Sequence, residues 1–346
     1  MYPILQTLKQ TDQPAVLATI LEVAGSSYRK QGTSMLFLDD GRQVGILSGG
    51  CLETDLAARV PRILQEGEPF LWEYDLRHEE DWNWGQGSGC NGRILVIMEV
   101  VDPHMREFLT QANSFLEEGI PVVMAKEFTL DRERKGFGMF PLKKELIQKE
   151  LTGTWHGECS ANLQEWIKIQ ISAEKPMESG FHRLSAGNAS IFTQVWQPRP
   201  RLIIWGGGND AKPLVAFAAA AGFQVIVADW RPDFCHAARF PEAEQCLIGF
   251  PAQIVNQLAC TSRDFVLLMS HHFQKDQEFL RLLLEQPLQY LGILGSRDRI
   301  ARVFQSQNVP EYVHAPVGLS IGAEGPEEIA VSILAEMIQK KNTNRR

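Results

Sequence analysis

One stretch constrains this chain more than any other: RLIIWGGGNDAKPLVAFAAAAGFQVIVADWRPDF, from Arg201 to Phe234. Leu202 to Trp205 is a short uncharged apolar run, the pattern of a strand buried on both faces of a parallel sheet. Gly206, Gly208 and Ala211 then satisfy G-x-G-x-x-G/A. Gly206 permits a sharp turn out of the strand, Gly208 carries no side chain to hold a pyrophosphate away from the backbone, and Ala211 allows close helix–strand packing. Asn209 or Asp210 is placed to cap the helix, Pro213 falls in its first turn, and Gly222 closes it. Phe223 to Ala228 predicts a second strand that ends at Asp229, about 20 residues past the glycines, where an acid can accept from a ribose hydroxyl.

Strand–helix alternation continues beyond this unit. Phe265 to Met269 predicts a third strand ending in Ser270-His271-His272, with a helix over 274–285. Leu288 to Leu294 predicts a fourth strand, followed by Gly295-Ser296-Arg297 and a helix, and Pro326 opens a last one. Residues 201–346 therefore read as a Rossmann-like, doubly wound parallel-sheet domain. Gln197-Pro198-Arg199-Pro200 reads as a stiff linker, with residues 1–196 a mixed α+β domain before it. In that first domain, strands are expected over Ala15–Val23, Met35–Leu38, Gln43–Leu47, Phe70–Leu76 and Arg93–Val101, with a helix over Cys51–Gln65. Residues 77–92 read as a polar, glycine-rich loop carrying Trp82, Trp84 and Cys90, and 127–195 yields no functional reading.

Composition bounds the partners. The formal charge is -8, from 34 basic and 42 acidic residues, with no basic block to follow a phosphate backbone, which argues against nucleic acid. No apolar run approaches the roughly 20 residues of a membrane span, and the N-terminal residues lack a signal-peptide pattern, so a cytoplasmic location is expected. The six cysteines show no zinc spacing and are expected to be mostly free thiols.

Several residues can carry chemistry. Cys51 follows Gly49 and Gly50 and opens a helix, whose N-terminal amides favour a thiolate; it is a reactive thiol or soft-metal ligand, or a small buried hydrophobe. Cys90, between Gly89 and Asn91-Gly92, is poorly placed as core filler. His271 ends a parallel strand beside the ligand crevice of such a fold, as an acid–base group or a helix cap, with Asp276 placed to orient it. Ser296 and Arg297 offer a hydroxyl and a guanidinium to a phosphate.

Together these pieces resemble the XdhC/CoxI family of accessory proteins for molybdenum hydroxylases such as xanthine dehydrogenase. The resemblance rests on GSSYRKQGTSMLFLDDGRQVGILSGGCLE, GCNGRILVIMEV, PRLIIWGGGNDAKPL, MSHHFQKDQ, YLGILGSRDR and PVGLSIGAEGPEEIAVSILAEMI, and so spans both halves. It implies a protein that binds molybdenum cofactor, presents it for sulfuration by a cysteine desulfurase-like partner, and passes it to an apo-hydroxylase, with no catalytic residue of its own. It implies a homodimer, and it maps the family's N-terminal cysteine onto Cys51, as the expected metal ligand, and its G-C-x-G cysteine onto Cys90. Asn209 stands where the family commonly has histidine. Two other readings compete. The Rossmann half taken alone suggests an NAD(P)-dependent oxidoreductase, which lacks a hydride-transfer constellation beyond His271. A cysteine-dependent transferase or hydrolase needs a base, such as His78 or His271, within reach of Cys51.

Overall fold

The computed structural model describes residues 1–76, 91–129, 131–142, 153–157, 161–172, 178–183, 189–304, 310 and 312–343. His78, Trp82, Trp84 and Cys90 lie outside the described residues, and so does the side chain of Cys51. The chain divides into two compact units, Met1–Pro198 and Arg199–Arg346.

The first unit holds two antiparallel five-stranded sheets. Strands β1 (Ala15–Ser26), β2 (Ser34–Leu38), β3 (Gln43–Val44), β4 (Phe70–Asp75) and β5 (Asn91–Val100) form one, in the order β3-β2-β1-β5-β4. Strands β6 (Val122–Thr129), β7 (Arg134–Pro141), β8 (Thr154–Gly157), β9 (Gly180–Arg183) and β10 (Ala189–Trp196) form the other, in the order β8-β7-β6-β10-β9. The region without a functional reading is therefore a sheet. The strand expected over Gln43–Leu47 stops at Val44, because Gly45 takes φ +100° and turns the chain toward the next helix.

Helices α1 (Tyr2–Gln10) and α3 (Pro103–Glu117) cover a core shared by both sheets, including Leu17, Leu36, Met124 and Phe137. Helix α2 (Cys51–Glu66) lays Leu52, Leu56, Val60 and Ile63 on the first sheet, against Val16, Ala18 and Ile20. Each such side chain contributes about 1.5–3 kcal/mol. Helix α4 (Ala161–Ser172) covers the second sheet through Leu163 and Ile167. Buried Glu99 of β5 pairs with Lys126 of β6, and with Arg134 of β7 at 3.0 Å, so a charged group bridges the sheets.

The second unit is a six-stranded parallel sheet. Its strands are β11 (Arg201–Trp205), β12 (Gln224–Asp229), β13 (Gln245–Ile248), β14 (Phe265–Leu268), β15 (Tyr290–Ile293) and β16 (Val313–His314), in the order β13-β12-β11-β14-β15-β16. This is the 3-2-1-4-5-6 order of a Rossmann domain, with the topological switch between β11 and β14. Helices α5 (Ala211–Ala220) and α9 (Gly325–Thr343) cover one face; α6 (Pro251–Leu258), α7 (Phe273–Leu283) and α8 (Arg297–Phe304) cover the other. Along β11, Leu202 and Ile204 face the first layer while Ile203 and Trp205 face the second, so a wholly apolar run is required. Phe265 is not in the third strand but the fourth: β13 and α6 intervene. β13 is an edge strand with exposed ends, and its sequence lacks the continuous apolar run of its neighbours.

Candidate functional sites in the two units

In the first unit the site is the turn that opens α2. Buried Glu53, one turn into the helix, reaches back over it. Its Oε1 accepts from the amides of Leu47 at 2.9 Å and Ser48 at 2.6 Å, and Oε2 accepts from the Ser48 hydroxyl. The Ser48 Oγ in turn accepts from the amides of Gly50 at 3.2 Å and Leu52 at 3.1 Å. Burial alone would push the Glu53 carboxyl up; the bonds from the Ser48 hydroxyl and from the turn amides outweigh it and hold the group below the usual carboxylate range. Gly50 takes φ +119°, a conformation that L side chains rarely adopt. A Cβ at Gly49 or Gly50 would meet nothing within 4 Å, so the space over the turn is open. Cys51 is the first helical residue after it. Beside the turn, Arg29 of the Gly25–Gly32 loop donates from Nε to the Ile46 carbonyl at 3.4 Å. In the sequence the one signal for this role is an acid at the third helical position.

In the second unit the site lies along the carboxyl ends of β11, β12, β14 and β15. Gly206 takes φ +115°, and a Cβ there would stand 2.4 Å from the Ser270 Cα, so the glycine permits the close approach of β11 and β14 at the switch point. Gly207, passed over in the sequence, is tighter still: a Cβ would stand 1.9 Å from the Phe234 carbonyl oxygen. At Gly208 it would meet the Asp210 carboxylate oxygen at 2.4 Å. Among the described residues, the amides of Gly208, Asn209 and Asp210 make no hydrogen bond within the chain.

Asp229 is fully buried at the end of β12. It accepts from the Gly207 amide at 2.8 Å, from the Arg231 amide at 2.9 Å, and from Arg231 Nε at 3.0 Å and Nη2 at 2.8 Å. Burial would raise its pKa; the Arg231 guanidinium and the two amides reverse this and hold it low. Asn209 accepts at Oδ1 from Arg239 Nη2 at 2.8 Å, and Arg239 Nε donates to the Gly207 carbonyl at 3.0 Å. Arg239 gave no sequence signal, since its partners lie about 30 residues away.

Asp210 does not cap α5 with its side chain. Its Oδ2 sits 2.7 Å from His271 Nε2, across the switch point. The hydrogen bond that the His271 ring donates to Asp210 raises the His271 pKa, against partial desolvation. His271 adopts φ +59°, unusual for a residue with a side chain, and the cap of α7 is His272, whose Nδ1 accepts from the Lys275 amide at 3.4 Å. Asp276 does not orient His271. It is turned inward, accepting from the Ser270 hydroxyl and from Arg299 Nη2 at 2.5 Å. Ser296 accepts from the Arg299 amide at 3.3 Å, while Arg297 is exposed, so the arginine that faces inward after β15 is Arg299. The structure thus brings Gly206, Gly208, Asn209, Asp229 and His271 to one edge, and it leaves Arg297 in solvent.

Among the described residues, no group of three or more His, Cys, Asp or Glu side chains is arranged to hold a metal ion, and no helix is long and apolar enough to cross a membrane. Comparison with known proteins matches residues 8–75 to the XdhC and CoxI family and residues 202–337 to the XdhC Rossmann domain. The chain is 37% identical, over 98% of its length and 97% of the relative's, to a protein of Bacillus subtilis (strain 168) described as a probable xanthine dehydrogenase subunit. It is 22% identical, over 93% of its length and 82% of the relative's, to the Escherichia coli (strain K12) molybdenum cofactor insertion chaperone PaoD. A crystal structure described as a xanthine dehydrogenase from Bacillus halodurans superposes with a TM-score of 0.84 at 44% identity, covering 98% of this chain and 95% of that one. Both halves of the chain match, in the order and over the lengths of these relatives, and the chain belongs to the XdhC and CoxI family.

Proposed function

We propose that this chain is a cytoplasmic maturation factor that binds molybdenum cofactor, presents it for sulfuration, and inserts it into a xanthine dehydrogenase-type hydroxylase. The observation that carries this reading is the buttressed turn of the first unit. Glu53 and Ser48 fix the backbone from Leu47 to Leu52, the glycines leave the space above it open, and Cys51 follows at the positive end of a helix. Such a position lowers a thiol pKa, and a thiolate is a soft donor suited to a molybdenum centre. The naming of PaoD as an insertion chaperone, and of the Bacillus subtilis relative as part of a xanthine dehydrogenase, supports the same role.

The crevice of the second unit is read as a phosphate or nucleotide site. The unspent amides of Gly208, Asn209 and Asp210 at the start of α5 offer donors to an anion, and Asp229 braces the loop that presents them. The ligand there is the phosphate or nucleotide end of the cofactor, or a separate NAD(P)-type nucleotide. A homodimer, with transient contacts to an apo-hydroxylase and a desulfurase-like sulfurase, completes the proposal.

The test is transfer. The protein is loaded with purified molybdenum cofactor, freed of excess, and mixed with apo-xanthine dehydrogenase. Appearance of hydroxylase activity in proportion to the loaded protein supports the role. Cofactor that neither binds nor transfers above the rate of free cofactor contradicts it.

A further inference from the structure

The acid that would read a ribose in this crevice is already spent. Asp229 is fully buried, and its four hydrogen bonds, to the Gly207 amide, the Arg231 amide and two nitrogens of the Arg231 guanidinium, use the roughly four acceptor positions a carboxylate has. A free ribose diol finds no lone pair there unless Arg231 leaves.

Two guanidinium groups stand where that diol would have been read. Arg231 and Arg239 both lie on the Phe234 ring, 3.9 Å and 5.2 Å from its centroid. Arg231 is fixed by Asp229, and Arg239 by the Gly207 carbonyl and the Asn209 amide oxygen, so both are held against the glycine loop. Each spends Nε and Nη2 on these partners; among the described residues, neither Nη1 makes a hydrogen bond. Asp229 is paired with Arg231 itself through Nε and Nη2, and Asp210 is paired with His271. Two oriented guanidinium groups with free N–H donors suit an oxyanion with two or three terminal oxygens, not a diol.

We propose that Arg231 and Arg239 form a phosphomonoester-reading pair, so that the crevice selects a ligand carrying a terminal phosphate beside the glycine loop over one offering a free ribose diol. This rests on reading the crevice as a phosphate or nucleotide site. Two sources share the chemistry: the 2′-phosphate of a nicotinamide dinucleotide, and the terminal phosphate of the pterin cofactor.

The experiment is calorimetric titration of the full chain with NADP, with NAD and with purified molybdenum cofactor at one fixed salt concentration. The pair predicts binding at least tenfold tighter for NADP than for NAD. Arg231→Ala should weaken NADP at least tenfold and strengthen NAD, because Asp229 becomes free to accept from a diol. Arg239→Ala leaves the Asp229–Arg231 pair in place, guards against a folding artefact, and should weaken NADP by a larger factor than NAD, since the glycine-loop bonds it also removes serve both dinucleotides. If neither dinucleotide binds, while the cofactor binds and loses affinity on either substitution, the phosphate read is the pterin's and the pair stands. NAD binding as tightly as NADP, or a ratio unmoved by Arg231→Ala, overturns the pair and leaves the nucleotide reading intact. No binding of any of the three overturns both.

Discussion

Two glycine turns open two helices in this protein, and they are held in opposite ways. The Ser48–Cys51 turn is fixed from within: Glu53 and Ser48 lie inside the same short segment, and every bond named at that turn spans six residues or fewer. The Gly206–Asp210 loop is fixed from outside. Asp229, Arg239 and His271 reach it from the ends of other elements, 22, about 30 and 61 residues away along the chain. A locally fixed turn keeps its shape while its surroundings change, which suits a group that must be offered to other proteins. A loop fixed by remote residues reports on the whole sheet edge, which suits a crevice whose ligand must be recognised by several strands at once.

The largest effect comes from breaking the remote bracing. Asp229→Ala removes the partner of the Gly207 amide and leaves Arg231 without its carboxylate, so we expect a loss of about 3–5 kcal/mol of stability in the second unit. Denaturant titration followed by the fluorescence of Trp205 and Trp230, which lie 5.5 Å apart in that unit, reads it. A loss below about 1 kcal/mol would show that the loop is not braced as described.

The matching change in the first unit is smaller, because the bonds are local and the turn lies at the protein surface. Glu53→Gln is expected to cost about 1–3 kcal/mol, since a carboxamide cannot accept from the Ser48 hydroxyl and both amides at once. The folded Glu53 pKa lies below its ordinary value. Its contribution is therefore complete above the ordinary carboxylate range and is lost as pH falls through the folded value. Parent and variant should differ at neutral pH and converge in acid. A gap that stays constant down to about pH 2 would contradict this.

Legibility in the sequence follows the same division. The G-x-G-x-x-A run, the strand before it and the acid after it lie within one stretch, and S-G-G-C-x-E holds its own buttress, so sequence alone locates both turns. What it does not locate are the pairs made by folding. Sequence matches His271 to Asp276, its neighbour along the chain, although parallel strands bring Asp210 to it instead. Asp229 reads as open to a ribose, because nothing in the sequence shows that Arg231 folds back onto it. Arg297 stands out over Arg299 in sequence, yet helix phase decides which of the two faces inward. The strand Gln245–Ile248 escapes because an edge strand, exposed at its ends, needs no continuous apolar run.

A smaller effect sharpens the remote side. Asp210→Asn should bring the His271 pKa down toward the ordinary value of about 6.5. The folded pKa is raised, so the pair's contribution is present below the ordinary value and lost as pH rises through the folded one. The imidazole is more than half exposed, at 56%, so the stability change should stay below about 1 kcal/mol. Titration of the His271 ring by NMR checks it; an unmoved midpoint would mean that the pair does not form in solution.

The central claim is that the locally fixed turn exists to present the thiol of Cys51. It is tested most directly by measuring molybdenum retained after gel filtration of parent and Cys51→Ser protein, each incubated with purified cofactor. Serine keeps the size and hydrogen bonding of cysteine and removes the soft donor. The account predicts an intact fold with molybdenum retention reduced at least tenfold. A Cys51→Ser protein that retains molybdenum and activates an apo-hydroxylase as the parent does would contradict it, and would move cofactor binding away from this turn.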